Sequence, residues 1–121
     1  MPYMKVSLTH KLTDEKRSEL LLALQDALWT IPEKKGVPVV IDYEEGKTFY
    51  TGGVKQDDFI SVDVQYFSNM KYTRKKEFTE GACAAMEKVL GFSKEHMFLL
   101  ITERNTWGAH GEFLDEFFTD F

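Results

Sequence analysis

At 121 residues, 43% hydrophobic and 14% aromatic, the chain has the size and composition of one ordinary domain with a packed core. A net charge of −5 argues against nucleic acid as a default partner. The single cysteine, Cys83, excludes an internal disulfide and a cysteine-built zinc site.

The chain begins Met1-Pro2 and runs at once into Tyr3–Thr9, which reads as a core strand. This opening lacks the pattern of a signal peptide. No apolar run approaches the roughly 20 residues that span a bilayer, so a soluble cytoplasmic protein with no membrane partner is expected. A small second residue lets an initiator Met be trimmed, which would leave Pro2 as a terminal secondary amine held by the strand. Such an amine can act as a general base or nucleophile once its pKa is drawn toward neutrality. Burial and nearby cations both do this, because both disfavour the charged form.

Thr13 reads as a helix N-cap, with Asp14 and Glu15 suited to the first turn. Leu20, Leu24, Ala27, Leu28 and Ile31 recur at helical spacing, and Pro32 and Gly36 end the helix. Val37–Tyr43 follows as a strand, with Pro38 near its beginning. Thr48-Phe49-Tyr50, bounded by Glu45-Gly46-Lys47 and Gly52-Gly53, predicts a short hairpin.

The second half repeats the order. Phe59–Phe67 is the longest strand candidate, Thr73 reads as a second N-cap, and Phe78, Ala82, Ala85, Met86 and Val89 form the next apolar stripe. Cys83 sits among the small residues of that helix, where it reads as core filler. Gly91 closes the helix. Met97–Thr102 is almost continuously apolar, as for a strand buried on both faces. The pattern is β-α-β twice, an α+β fold. Right-handed crossovers would give a four-stranded mixed sheet with both helices on one face. The whole chain, 1–121, is read as one domain: a first unit over about 2–56, a second over about 57–113 and a tail from 114 to 121. Strands this apolar would leave the bare sheet face in need of a cover, which points to self-association.

Four stretches together resemble the tautomerase superfamily of 4-oxalocrotonate tautomerase, macrophage migration inhibitory factor and cis-3-chloroacrylic acid dehalogenase. They are Pro2 leading the first strand, Leu12-Thr13-Asp14-Glu15 opening a helix, Phe49-Tyr50-Thr51-Gly52-Gly53-Val54, and Glu103 to Trp107-Gly108 after the last strand. The resemblance covers about residues 2–113. It implies a trimeric barrel in which the bare sheet faces line the centre, and it implies that Pro2 is the catalytic residue. The family's polar specificity positions fall on Leu28, Met70 and Leu100.

Proton transfer beside a carbonyl is the chemistry expected of Pro2. A developing enolate then needs positive charge or hydrogen-bond donors. Lys34, Lys71 and Arg104 are the candidate anchors for a substrate carboxylate, with Arg104 in a loop after the last strand. Phe49 and Trp107 are the candidate pocket walls. Lys75 and Lys76 read as a solvated helix face. His10, His96 and His110 have no metal-ligand spacing, and no cofactor is expected.

The expected activity is a cofactor-independent tautomerase or isomerase acting on a small 2-oxo or enol carboxylic acid, as a homotrimer. A hydratase, dehalogenase or decarboxylase on the same scaffold, or a non-catalytic trimeric binding protein, are the alternatives.

Overall fold

Side chains alternate along a strand, so a half-covered strand buries every second residue. Strand β1 (Tyr3–Leu8) does so, with Met4, Val6 and Leu8 fully buried and Lys5 on the other face. The computed structural model describes residues 1–117. After β1 come α1 (Asp14–Trp29), a single helical turn at Pro32–Lys34, β2 (Val40–Glu44) and a hairpin of β3 (Phe49–Thr51) and β4 (Val54–Gln56). Then follow β5 (Ile60–Phe67), α2 (Tyr72–Leu90), β6 (Met97–Arg104) and a second hairpin of β7 (Thr106–Ala109) and β8 (Glu112–Asp115).

The main sheet has four strands in the order β2-β1-β5-β6. β1 runs parallel to β2 and antiparallel to β5, and β5 runs parallel to β6. The expected mixed sheet of two β-α-β units is therefore present. Both helices supply the core on one face: Leu20, Leu24 and Leu28 from α1 and Phe78, Ala82 and Met86 from α2 meet Met4, Val6, Ile60, Val62 and Val64. Burying each large apolar side chain contributes about 1.5–3 kcal/mol before entropy is counted.

Several details differ from the sequence reading. Lys71, not Thr73, is the N-cap of α2, and no side chain caps that end. β2 begins at Val40, so Pro38 precedes the strand. β6 extends to Arg104, which is therefore the strand's last residue and not part of a loop. β6 is also not buried on both faces in this chain, because Phe98 and Leu100 are exposed. It is an edge strand, and apolar composition alone does not separate an edge strand from a central one.

The open face of the sheet is also more polar than expected. Lys5 pairs with Glu44 across β1 and β2 at 3.3 Å, Tyr3 donates to Asp42 at 2.9 Å, and Arg104 donates to Gln65. Its exposed large apolar residues, Val40, Phe98 and Leu100, lie on the edge strands, and Phe67, at the end of central β5, is half-buried. The hairpin β7–β8 has no counterpart in the sequence reading. Its turn, His110-Gly111, has positive φ at both residues, as a tight two-residue hairpin requires. It takes Leu114 and Asp115 out of the tail, and residues 118–121 of that tail lie outside the described residues.

The two units repeat one polar clasp. In the first, Glu45 accepts the N–H of Leu12, one residue before the N-cap Thr13, at 2.8 Å. In the second, Glu103 accepts the N–H of Met70, one residue before the N-cap Lys71, at 2.6 Å. Each glutamate also accepts a tyrosine hydroxyl, from Tyr43 at 2.6 Å and from Tyr66 at 2.9 Å. Each tyrosine ring faces a cation: Arg17 lies 5.7 Å from the centre of Tyr43, and Lys34 lies 4.7 Å from the centre of Tyr66. The clasps lie at opposite ends of the sheet because β1 and β5 are antiparallel.

Candidate active site

β1 starts at the end of the sheet where β5 and β6 finish. Pro2 is buried there, and its carbonyl accepts the N–H of Val40 at 2.9 Å. Extending the β1–β5 register one step beyond Tyr3–Gln65 sets Pro2 opposite Tyr66. Side-chain alternation places both on the helix side of the sheet, in line with Met4 and Val64. The amine of Met1, next to Pro2, is held below its ordinary pKa: burial lowers it, and the charge of Lys34 lowers it further.

Lys34 enters from the helical turn after α1. Pro32 fixes φ at the start of this turn, and the Lys34 N–H closes on the carbonyl of Ile31 at 2.9 Å. The ammonium donates to the Phe67 carbonyl at 3.3 Å and lies against the Tyr66 ring. Burial lowers its pKa, and the charges of Glu33 and Glu103 oppose that shift. Among the described residues, none of the ion pairs includes Lys34. The corner therefore holds a half-buried cation with a carbonyl and an aromatic face for neighbours and no bonded carboxylate.

Behind Lys34, Glu103 takes three hydrogen bonds: from the Tyr66 hydroxyl, from the Met70 N–H and from the Lys75 ammonium at 3.0 Å. Burial pushes its carboxyl upward, but the three donors outweigh this and hold it below the ordinary carboxylate value. Burial and the bond to Glu103 push the Tyr66 phenol upward, so it stays protonated. The loop between β5 and α2 carries one unusual residue. Ser68 has φ 74° and donates its N–H to the Arg104 carbonyl at 2.7 Å. A non-glycine residue in this region carries strain that persists only where its surroundings hold it, and Ser68 directly follows the carbonyl that receives Lys34.

Of the residues singled out from sequence, the chain brings Pro2 and Lys34 together. Lys71 is exposed at the same end of the sheet, on the loop that Glu103 grips. Arg104 is at that end too, but it lies on the open face against Gln65. Trp107 is half-buried in β7, just beyond β6. Phe49 is at the opposite end, stacked on Phe59 with ring centres 4.8 Å apart. Phe59 accepts the N–H of Thr9, so roughly the length of β1 separates Phe49 from Pro2, about 20 Å at 3.3 Å per residue.

Sequence reasoning misses Tyr66, Glu103 and Lys75 as parts of this corner. The available signal is the repeat itself, since Arg17 and Lys75 each stand four residues beyond their N-cap. A shallow groove lined by Tyr72, Lys75, Lys76, Thr79 and Glu80 runs along α2 and not over Pro2. Among the described residues no group of three or more His, Cys, Asp or Glu is placed to hold a metal. No helix among them is long and apolar enough to cross a membrane.

No family model and no curated protein sequence matches the chain. Solved structures do. Leishmania major MIF2 superposes with a TM-score of 0.84 at 19% identity, over 94% of this chain and 97% of that one. A fused 4-OT chain, described as an asymmetric trimer, gives 0.78 at 16% identity over 91% and 94% of the two chains. A malonate semialdehyde decarboxylase, described with decarboxylase and hydratase activities, gives 0.69 at 17% identity over 91% of each. At these identities the likeness is one of fold.

Proposed function

We propose that this chain, which has the fold of the tautomerase superfamily, is a cofactor-independent tautomerase. Removal of Met1 frees Pro2 as the general base, and the substrate is a small 2-oxo or enol carboxylic acid. The observation that carries this proposal is the placement of a buried Pro2 and of Lys34 at one corner of the sheet, about Tyr66, where the adjoining Met1 amine is held below its ordinary pKa. Neutral Pro2 takes the proton from the hydroxyl of an enol acid, or from the carbon next to the carbonyl of a 2-oxo acid, and returns it at a carbon, so the proton moves with no net change of oxidation state. Negative charge develops on the enolate oxygen in between, and a fixed cation in a water-poor site stabilises that charge. Lys34, which has no carboxylate partner among the described residues, is available to the substrate. Lys71 and Arg104 flank the same end of the sheet and are further anchors for the carboxylate.

The site is completed by a second copy of the chain in a homotrimer. The exposed apolar residues Val40, Phe98 and Leu100 support this because they lie on the two edge strands, where strand-to-strand pairing between copies is available. In that assembly Phe49 and Trp107 wall the pocket over the Pro2 of a neighbour, and Lys5, Asp42 and Asp63 face the centre. Leu28 lies in the core, so its apolar character serves packing and is no sign of a non-catalytic pocket.

The test is tautomerisation of phenylenolpyruvate and 2-hydroxymuconate across pH by native protein and by Pro2→Ala, with intact mass to establish loss of Met1. A loss of at least about 100-fold in the variant is expected for removal of a general base. Native protein that lacks Met1 yet is no more active than the variant overturns the proposal for these substrates. The likeness to a malonate semialdehyde decarboxylase favours one second reading, a lyase acting on a 3-oxo acid. Release of carbon dioxide from malonate semialdehyde without tautomerisation of the enol acids would establish it instead.

A further inference from the structure

Proton transfer by Pro2 uses Lys34 but gives no role to the groups behind it. The Tyr66 hydroxyl donates to Glu103 while the face of the same ring carries the Lys34 ammonium. We propose that Tyr66 and Glu103 are positioning residues that hold Lys34 charged and in place beside the N-terminal amine. The kinetic part of this proposal rests on the tautomerase reading, and the titration part does not.

A phenol that donates to a carboxylate pushes electron density into its ring, so the ring face becomes a better partner for a cation. Lys34 needs such a partner. Its four-carbon stem is flexible, and burial disfavours its charged form. Among the described residues its ammonium makes one hydrogen bond, to the Phe67 carbonyl. The charged groups around it are the N-terminal amine at the start of β1, Glu33 on its own turn and Glu103 on β6, with Lys75 of α2 bonded to the far oxygen of Glu103. Of the two carboxylates, Glu103 is the one tied to the ring that Lys34 faces, and its other two bonds fix where it stands.

The repeat supplies an internal control. Tyr43 and Glu45 form the same clasp at the other end of the sheet, and the cation on Tyr43 is Arg17, which remains charged without help. A purely structural role predicts equal consequences for the two tyrosines.

The test compares Tyr66→Phe, Glu103→Gln and the control Tyr43→Phe by NMR titration of the Lys34 Nζ in 15N-lysine-labelled protein. Loss of the support is expected to lower the Lys34 midpoint by about half a unit or more in Tyr66→Phe and Glu103→Gln, as expected when a cation–π contact is weakened. Tyr43→Phe is expected to leave it in place. With an enol acid as substrate, KM rises about threefold or more in the first two variants, while kcat falls less. A Lys34 midpoint unmoved in Tyr66→Phe, or moved as far in Tyr43→Phe, overturns the proposal. Tyr66→Phe keeps the ring and the core packing, so it decides the matter even if Glu103→Gln folds poorly. Absence of Pro2-dependent turnover would sink the tautomerase reading, and the titration would still decide whether Tyr66 and Glu103 support Lys34.

Discussion

Replacing Glu103 with alanine should destabilise the protein well beyond the loss of a surface charge. The carboxylate takes the Met70 N–H at 2.6 Å and the Tyr66 hydroxyl at 2.9 Å, and Tyr66 is only 1% exposed. Removing one acceptor leaves two donors without partners. A buried donor left unpaired costs about 1–3 kcal/mol. The ion pair with Lys75 adds little, about 0–1 kcal/mol, because both side chains retain some solvent contact. Water reaching the Met70 N–H recovers part of the loss, so the expected cost is about 2–4 kcal/mol. Urea unfolding at one fixed protein concentration reads this directly, since association makes apparent stability concentration-dependent. Glu103→Gln keeps an acceptor oxygen for the two donors and should lose about half as much. A Glu103→Ala cost below about 0.5 kcal/mol with an unchanged denaturant slope, the scale of an ordinary surface substitution, would refute the claim that this carboxylate anchors the β5–α2 loop.

The pH dependence of stability has a definite sign. Because the Glu103 carboxyl lies below its ordinary value when folded, its contribution is fully present above the unfolded carboxylate pKa and is lost as pH falls through the folded one. The stability gap between native protein and Glu103→Gln should therefore narrow under acid, as followed by urea midpoints from neutral to acidic pH. Ser68→Gly should stabilise the chain by about 0.5–1 kcal/mol in thermal unfolding, because glycine accepts the positive φ of Ser68 without strain. Gly91→Ala should cost about 1 kcal/mol, since Gly91 ends α2 at φ 75°. No change in either variant would contradict the left-handed geometry at that position. Leu100→Asp, on the exposed edge of β6, should convert the proposed trimer to monomer in sedimentation. A trimer that survives this change would place the interface elsewhere.

Periodicity makes both helices and their buried faces legible, because Leu20, Leu24, Leu28, Phe78 and Met86 face the core as their spacing requires. Gly91 marks the end of α2 for a local reason, its left-handed backbone. The start of α2 is not legible. Thr73 has the better capping side chain, but Glu103, thirty-odd residues away, takes the Met70 N–H and starts the helix earlier. Met97–Thr102 is legible as a strand, but its edge position depends on sheet order, which no local pattern encodes.

The same division holds at the site. Pro2 and Lys34 are legible as candidates, since a proline just ahead of a strand and a lysine after a helix-ending proline are local features. Tyr66 and Glu103 meet because β5 and β6 run parallel with these two residues in register. That is a tertiary fact. Phe49 illustrates the converse: its short strand and glycine turn are clear, but β2 runs parallel to β1, so the hairpin that follows β2 lies at the far end of β1.

The central claim is that a free Pro2 amine is neutral enough to act as a base. The most direct measurement is NMR titration of the Pro2 nitrogen in 15N-proline-labelled protein whose mass establishes loss of Met1. A midpoint clearly below the ~8 of an ordinary terminal amine, rising toward that value in Lys34→Met, is the predicted result. Retention of Met1, or a midpoint at or above the ordinary value, would contradict it.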